Sequence, residues 1–171
     1  TGGMSVGEED HVLAQARQLG EIDFWKIAIK PGKPFACGKI GSTAFFGLPG
    51  NPVSSFVTFQ LLVRPWLLKT MGATDYLHRC VNAVANFNKN NAGKRLDFLR
   101  GTLTSTEEGK LQVSLFDNQS SGVMSSLMVS NVLIPLAPHS KINNGALHRV
   151  IALTDQALSL AGERWPKTDE I

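Results

Sequence analysis

A chain of 171 residues with 43% hydrophobic content has room for one ordinary domain or two small ones and enough apolar side chain for a core. Its formal charge of +3 comes without any Lys/Arg run of five or more, which argues against a nucleic-acid binder, and no apolar run nears the length that spans a bilayer. Cys37 and Cys80 have no CxxC partner and read as reduced thiols with no metal between them; with no signal-peptide layout in view, a soluble cytoplasmic protein is expected.

Thr1 to Gly7 reads as a glycine-rich loop of the kind that follows a strand, so the chain is expected to be cut within a domain. Asp10 to Leu19 reads as a helix with Val12, Leu13, Ala16 and Leu19 on one face and Gly20 just past its end. Glu8, Glu9 and Asp10 at its start need no functional explanation, because acids in a first turn complement the helix dipole. Asp23 to Lys30 alternates as one half-buried strand, with Lys26 and Lys30 on the same face. At about 3.3 Å per residue those lysines would lie roughly 13 Å apart, a span suited to a phosphorylated ligand or to a solvated, aggregation-blocking strand edge.

Lys30-Pro31-Gly32-Lys33-Pro34 then predicts a type II turn, with proline presetting φ and glycine supplying the positive φ. Its ends, Lys30 and Lys33, hold two ammonium groups close together, either around an anion or as a solvated hairpin tip. Phe35–Ile40 and Thr43–Gly47 form a hairpin around Gly41-Ser42. Gly47-Leu48-Pro49-Gly50-Asn51-Pro52 leads into a helix with Asn51 able to cap, Pro52 at its first position and Pro65 expected to kink it. Such a loop and helix start can receive an anion, Ser54 adding a hydroxyl, or can be a plain tight connection.

From Arg79 the texture changes to short alternating segments: Arg79–Asn86, Arg95–Ser105, Lys110–Leu115, Asn131–Leu136 and Ala146–Leu153. Turn residues such as Asn88-Lys89-Asn90-Asn91-Ala92-Gly93 separate them, giving a small β barrel or sandwich. The serine-rich stretch Asp117–Asn131 is either a short helix or a lid, and Thr154–Ile171 is a polar tail. His11, His78, His139 and His148 share no ligand spacing.

Three motifs, Thr1-Gly2-Gly3-Met4-Ser5-Val6-Gly7-Glu8-Glu9-Asp10, Phe24 to Pro34 with its Lys-Pro-Gly-Lys-Pro turn, and Gly47 to Ser54, together resemble the C-terminal half of the molybdopterin molybdenumtransferase family, which includes the E domain of gephyrin. The resemblance implies the latter part of a three-layer α/β molybdopterin-binding domain over residues 1–74, a small all-β, barrel-like domain over 75–155 and a polar tail over 156–171. It implies an enzyme that inserts molybdenum from molybdate into adenylylated molybdopterin and releases AMP with the help of Mg2+. Asp10 is then a catalytic and metal-binding acid, and Lys26 and Lys30 are the strand lysines the reaction needs. Gly2, Gly3 and Ser5 of the first loop, Lys33 of the turn, Pro49, Gly50, Asn51, Pro52 and Ser54 of the second loop, and Arg95 and Ser121 of the β region bind substrate. In the family the full-length protein is a homodimer, and the molybdopterin adenylyltransferase is a partner. Neither a nucleic acid nor a membrane is expected as a partner.

Charge chemistry agrees with that reading. Molybdate is a dianion and the adenylylated pterin adds a pyrophosphate, so a site must gather cations without a broad basic surface. Two rivals stand beside it: an adenylyltransferase of the same pathway, which shares the first glycine-rich motif, and a non-catalytic scaffold of the same fold. The turn, the second loop and the β region argue against the first, and the lysine cluster with Asp10 argues against the second.

Overall fold

The computed structural model describes residues 11–154, 157, 163 and 164. In chain order the first elements are α1 (His11–Leu19), β1 (Glu21–Trp25), β2 (Ile29–Lys30), β3 (Ala36–Ile40), β4 (Thr43–Gly47) and α2 (Pro52–Thr58). A π-helical turn at Phe59–Val63 joins α2 to α3 (Arg64–Thr70). Strands β5 (Arg79–Ala85), β6 (Lys89–Asn91), β7 (Leu96–Ser105) and β8 (Leu111–Leu115) follow, then α4 (Ser125–Val129), β9 (Val132–Leu136), β10 (Ser140–Ile142), β11 (Leu147–Ala152) and β12 (Glu163–Arg164).

Leu13 and Ala16 lie three apart on α1 and are its buried residues. Leu13 packs with Ile22, Ala36 and Phe45, which seats the helix on an antiparallel sheet in the order β1-β3-β4. The β3–β4 hairpin pairs Ile40 with Thr43 around Gly41 and Ser42, as the sequence predicts.

The alternation across Asp23–Lys30 does not make one strand. Lys26 has φ 76, a left-handed conformation that ends the pleat, so β1 stops at Trp25. The Lys26 N–H bonds to the Phe35 carbonyl at 3.2 Å and the Ile27 N–H to the Lys33 carbonyl at 3.0 Å, turning the chain out of the first sheet. Strand β2 then pairs in parallel with β7, Ile29 opposite Leu96 and Lys30 opposite Asp97. Lys26 and Lys30 therefore do not share a strand face.

Beyond residue 78 the period-2 pattern is realised as a closed ring of five strands, β11-β9-β7-β8-β5, with β5 pairing back onto β11. Val81 and Ala83 of β5, Leu99 and Leu103 of β7, Val113, Val132, Ile134 and Val150 fill its interior. Alternate residues Cys80, Phe98, Leu133 and Ile151 point the other way and pack against Val53 and Val57 of α2. One sequence pattern thus serves two cores, the inside of the barrel and a seam between barrel and helix. The Asn88–Gly93 stretch, read as a turn, contains β6, which pairs with β10 as a separate ribbon, and β12 adds to the edge of β5. Among the described residues no helix is long and apolar enough to cross a membrane.

Candidate functional site

The β2–β7 pairing is the local fact from which the site grows. It sets Lys30 beside Asp97, and Lys30 Nζ lies 3.1 Å from Asp97 Oδ2. The carboxylate is almost buried, its side chain 8% exposed, while Lys30 is 56% exposed. A charge taken out of water needs a partner, and here it fixes the lysine head at the edge of a cavity. Two residues upstream of Asp97, Arg95 Nη1 donates to the Ile29 carbonyl at 3.3 Å, tying the same strand pair together.

The Lys30–Pro34 turn differs from the type II geometry expected. The Lys30–Pro31 peptide is cis and Gly32 has φ 118. Gly32 is required here twice over, by that φ and by space: a Cβ would come within 2.5 Å of Thr58 Cγ2. The turn therefore rests on α2, where Thr58 is fully buried and its Oγ1 donates to the Ser54 carbonyl at 2.8 Å. Pro31 and Gly32 are buried and Lys33 is exposed, so the turn presents its second lysine outward.

The second loop is held by its own helix. Ser55 Oγ donates to the Pro49 carbonyl, and the Ser55 N–H bonds to the Asn51 carbonyl at 2.9 Å. The side chain of Asn51 does not cap α2. Its amide instead donates to Ser121 Oγ at 3.4 Å, linking this loop to the serine-rich stretch.

That stretch is organised by Arg100, which is 1% exposed. Arg100 Nε donates to Ser126 Oγ at 3.1 Å, and Nη2 donates to the carbonyls of Asn118 and Ser120 at 3.2 and 3.0 Å. Gln119 completes the clasp: its Oε1 accepts from the Arg100 backbone N–H and its Nε2 donates to the Arg100 carbonyl, each at 2.9 Å. The stretch is therefore a fixed loop with a short helix at its end, α4, anchored by buried Ser126 and by Leu127, which packs against the helix–barrel seam.

These parts enclose one open groove of about 810 Å³. Of the residues the sequence nominates, Lys30, Lys33, Ser54, Arg95 and Ser121 line it together. Pro49, Gly50, Asn51 and Pro52 are not part of the lining, and their loop reaches it through the Asn51–Ser121 contact. Lys26 is exposed and does not line it either. Gly2, Gly3, Ser5 and Asp10 lie outside the described residues. The lining also contains Lys89 and Asp97, which sequence reasoning passed over, and Asp117–Ser120, the start of the stretch it read as a short helix or a lid. Asp97 and Arg100 carried a legible signal, charges set into the apolar run Leu96-Asp97-Phe98-Leu99-Arg100; Lys89 carried none, being hidden in a turn-like composition. Four cationic side chains and two carboxylates line the groove, which leaves it with a net positive charge. Among the described residues no three His, Cys, Asp or Glu side chains lie together as a metal site.

Residues 1–69 match the family described as probable molybdopterin binding domain, and residues 82–153 match the MoeA C-terminal region, domain IV. The chain belongs to the molybdopterin molybdenumtransferase, or MoeA, family. It is 44% identical over 137 residues to the Haemophilus influenzae molybdopterin molybdenumtransferase, matching 80% of this chain and 34% of that relative. With the Bacillus subtilis molybdopterin molybdenumtransferase it shares 31% identity over 97% of its own length and 38% of the relative's. The crystal structure of the molybdopterin biosynthesis moea protein from Pyrococcus horikosii superposes with a TM-score of 0.70 at 26% identity, covering 85% of this chain and 35% of that one. The chain thus spans little more than a third of the MoeA relatives it matches. The groove is formed by residues from both matched regions, since Lys30, Lys33 and Ser54 fall in the first, and Lys89, Arg95 and Ser121 in the second.

Proposed function

We propose that the full-length protein inserts molybdenum from molybdate into adenylylated molybdopterin, releasing AMP, in molybdenum cofactor biosynthesis. The observation that carries this reading is the groove itself, where a lysine turn, Arg95 and a serine-rich loop converge on a space of about 810 Å³ that fits a nucleotide-sized anion. At an effective dielectric near 20, a unit charge pair at 4 Å is worth about 4 kcal/mol, several times a neutral hydrogen bond, so cations dominate the affinity for such substrates.

In this reading Lys33 and Arg95 bind substrate oxyanions, while Ser54 and Ser121 orient them through their hydroxyls. Lys30 is catalytic: Asp97 holds its ammonium at the groove's edge, where it stabilises negative charge gathering on the phosphoanhydride as the bond to AMP breaks. The family likeness adds Lys26 and Asp10 to the catalytic residues. Asp97 and Asp117 are the only carboxylates among the described residues that line the groove, and Asp97 is paired with Lys30, so a magnesium ion would take most of its oxygen ligands from phosphate and water. Such an ion would be held by Asp10, the acid that the family likeness nominates, and would supply charge neutralisation on the anhydride. The family likeness extends the proposal to a cytoplasmic homodimer that receives its substrate from the adenylyltransferase.

The test is molybdenum insertion by full-length protein carrying Lys30→Ala. The rate is expected to fall about tenfold to a hundredfold, the size of one lost charge-assisted contact. A wild-type rate in the folded variant overturns the assignment of Lys30.

A further inference from the structure

We propose that Lys89 is a further substrate-binding residue, acting with Lys33 to hold one tetrahedral oxyanion group in the groove. The inference rests on the reading of this groove as the site for molybdate and an adenylylated pterin.

The argument starts from the short strand β6. In its three residues Asn91 is buried, Asn90 exposed and Lys89 half-buried, so Lys89 stands on the same side as Asn91 and not on the solvent side of the ribbon. Asn91 is pinned by four hydrogen bonds. Its Nδ2 donates to the carbonyls of Arg95 at 2.8 Å, Leu136 at 3.0 Å and Ala137 at 3.1 Å, and its Oδ1 accepts from the Gly93 N–H at 3.0 Å. That single amide ties β6 to the entrance of β7 and to the end of β9, so the two ends of the connection, Lys89 and Arg95, open onto one groove. An edge-strand lysine that only blocks aggregation belongs on the exposed face, which here is the position of Asn90.

Charge pairing singles out the two lysines within the lining. Lys30 is matched by Asp97 at 3.1 Å. Arg95 spends one donor on the Ile29 carbonyl. Among the described residues Lys33 and Lys89 have no ion-pair partner, yet they come from different elements, the proline turn and β6, and line the same space. Two ammonium groups without an ion-pair partner in one concave site favour an anion there even with Asp117 in the same lining, and a dianionic tetrahedral group held by both makes two charge-assisted bonds. Molybdate and a substrate phosphate share this chemistry.

The experiment measures binding of molybdate and, separately, of inorganic pyrophosphate to the full-length protein by calorimetry at low and high salt. Wild type is compared with Lys33→Met, Lys89→Met, Lys89→Arg and, as a control on the neighbouring strand, Lys141→Met, each checked by circular dichroism for an unchanged fold. Lys89→Met is expected to bind one of the two probes about tenfold more weakly and with a shallower salt dependence. Lys89→Arg keeps the charge and regains most of that affinity, and Lys141→Met matches wild type. Loss for molybdate alone assigns the contact to the metal oxyanion; loss for pyrophosphate alone assigns it to the substrate phosphates. Wild-type affinity of Lys89→Met for both probes, with Lys33→Met impaired, overturns the inference and leaves the groove reading standing. Failure of folded wild-type protein to bind either probe overturns that reading, and the inference with it.

Discussion

At the scale of one residue, Arg100 decides whether the groove has a wall. Burial lowers its pKa from the ordinary arginine value, and the nearby charge of Asp97 works in the opposite direction. A guanidinium stays charged even so, and its planar fork reaches a hydroxyl and two carbonyls at once. Replacement by methionine takes the donor from the buried Ser126 hydroxyl and from two part-buried carbonyls. Arg100→Met is therefore expected to cost about 3 kcal/mol in urea unfolding and to weaken pyrophosphate binding to the full-length protein. Arg100→Lys recovers part of the stability but not the loop, since an ammonium on a flexible stem does not reproduce the fork. Unchanged stability in Arg100→Met would mean that Gln119 alone holds the loop. The same residue marks a limit of sequence reading: the charge inside an apolar strand is visible, but its partners lie 18 to 26 positions away and are set by how the loop folds back.

Among the elements, the helical segment after the second loop shows a local rule acting through a long-range partner. Pro65 has no N–H to give, and the sequence places a bend there. The chain meets this with a π-helical turn in which the Arg64 N–H bonds to the Phe59 carbonyl. The next bond in that register would fall to Pro65, so the Gln60 carbonyl is left without an intrahelical donor. His78 Nε2 supplies one at 2.8 Å, from the connection leading into β5. Burial pushes the His78 pKa below its ordinary value of 6.5, the charge of Arg64 reinforcing that shift and backbone hydrogen bonds to Gln60 and Ala152 opposing it. The folded state thus favours the neutral ring. Its contribution to stability is complete above the unfolded value of 6.5 and is lost as the pH falls below it. The thermal midpoint of wild type is expected to drop between about pH 8 and about pH 5 by more than that of His78→Gln, which keeps a donor but cannot titrate. Parallel pH profiles for the two proteins would sink this account. The interruption of regular α-helical bonding was legible because proline acts on its own neighbours. The break at Lys26 was not, because its alternating pattern is that of a strand and only the pull of β7 on Ile29 and Lys30 diverts the chain.

For the whole molecule, the barrel strands were legible almost residue for residue, since each must alternate to fill an interior. The second use of the alternation was not, because nothing in the local pattern says that Cys80, Phe98, Leu133 and Ile151 pack against α2. This seam couples stability to the site. Val57, fully buried, belongs to the helix that carries Ser54 and, through Thr58, supports the Gly32 turn. Val113, equally buried, lies inside the barrel, remote from that support. Truncation of either valine to alanine removes the same two methyl groups and is expected to cost about 2 kcal/mol. The functional consequences should part company. In the full-length protein below its unfolding temperature, Val57→Ala lets α2 settle and should weaken pyrophosphate binding, whereas Val113→Ala should bind as wild type does. Equal binding by the two variants, alongside equal losses in urea unfolding, would show that the groove does not depend on the seam and that the turn is held by β2 and β7 alone.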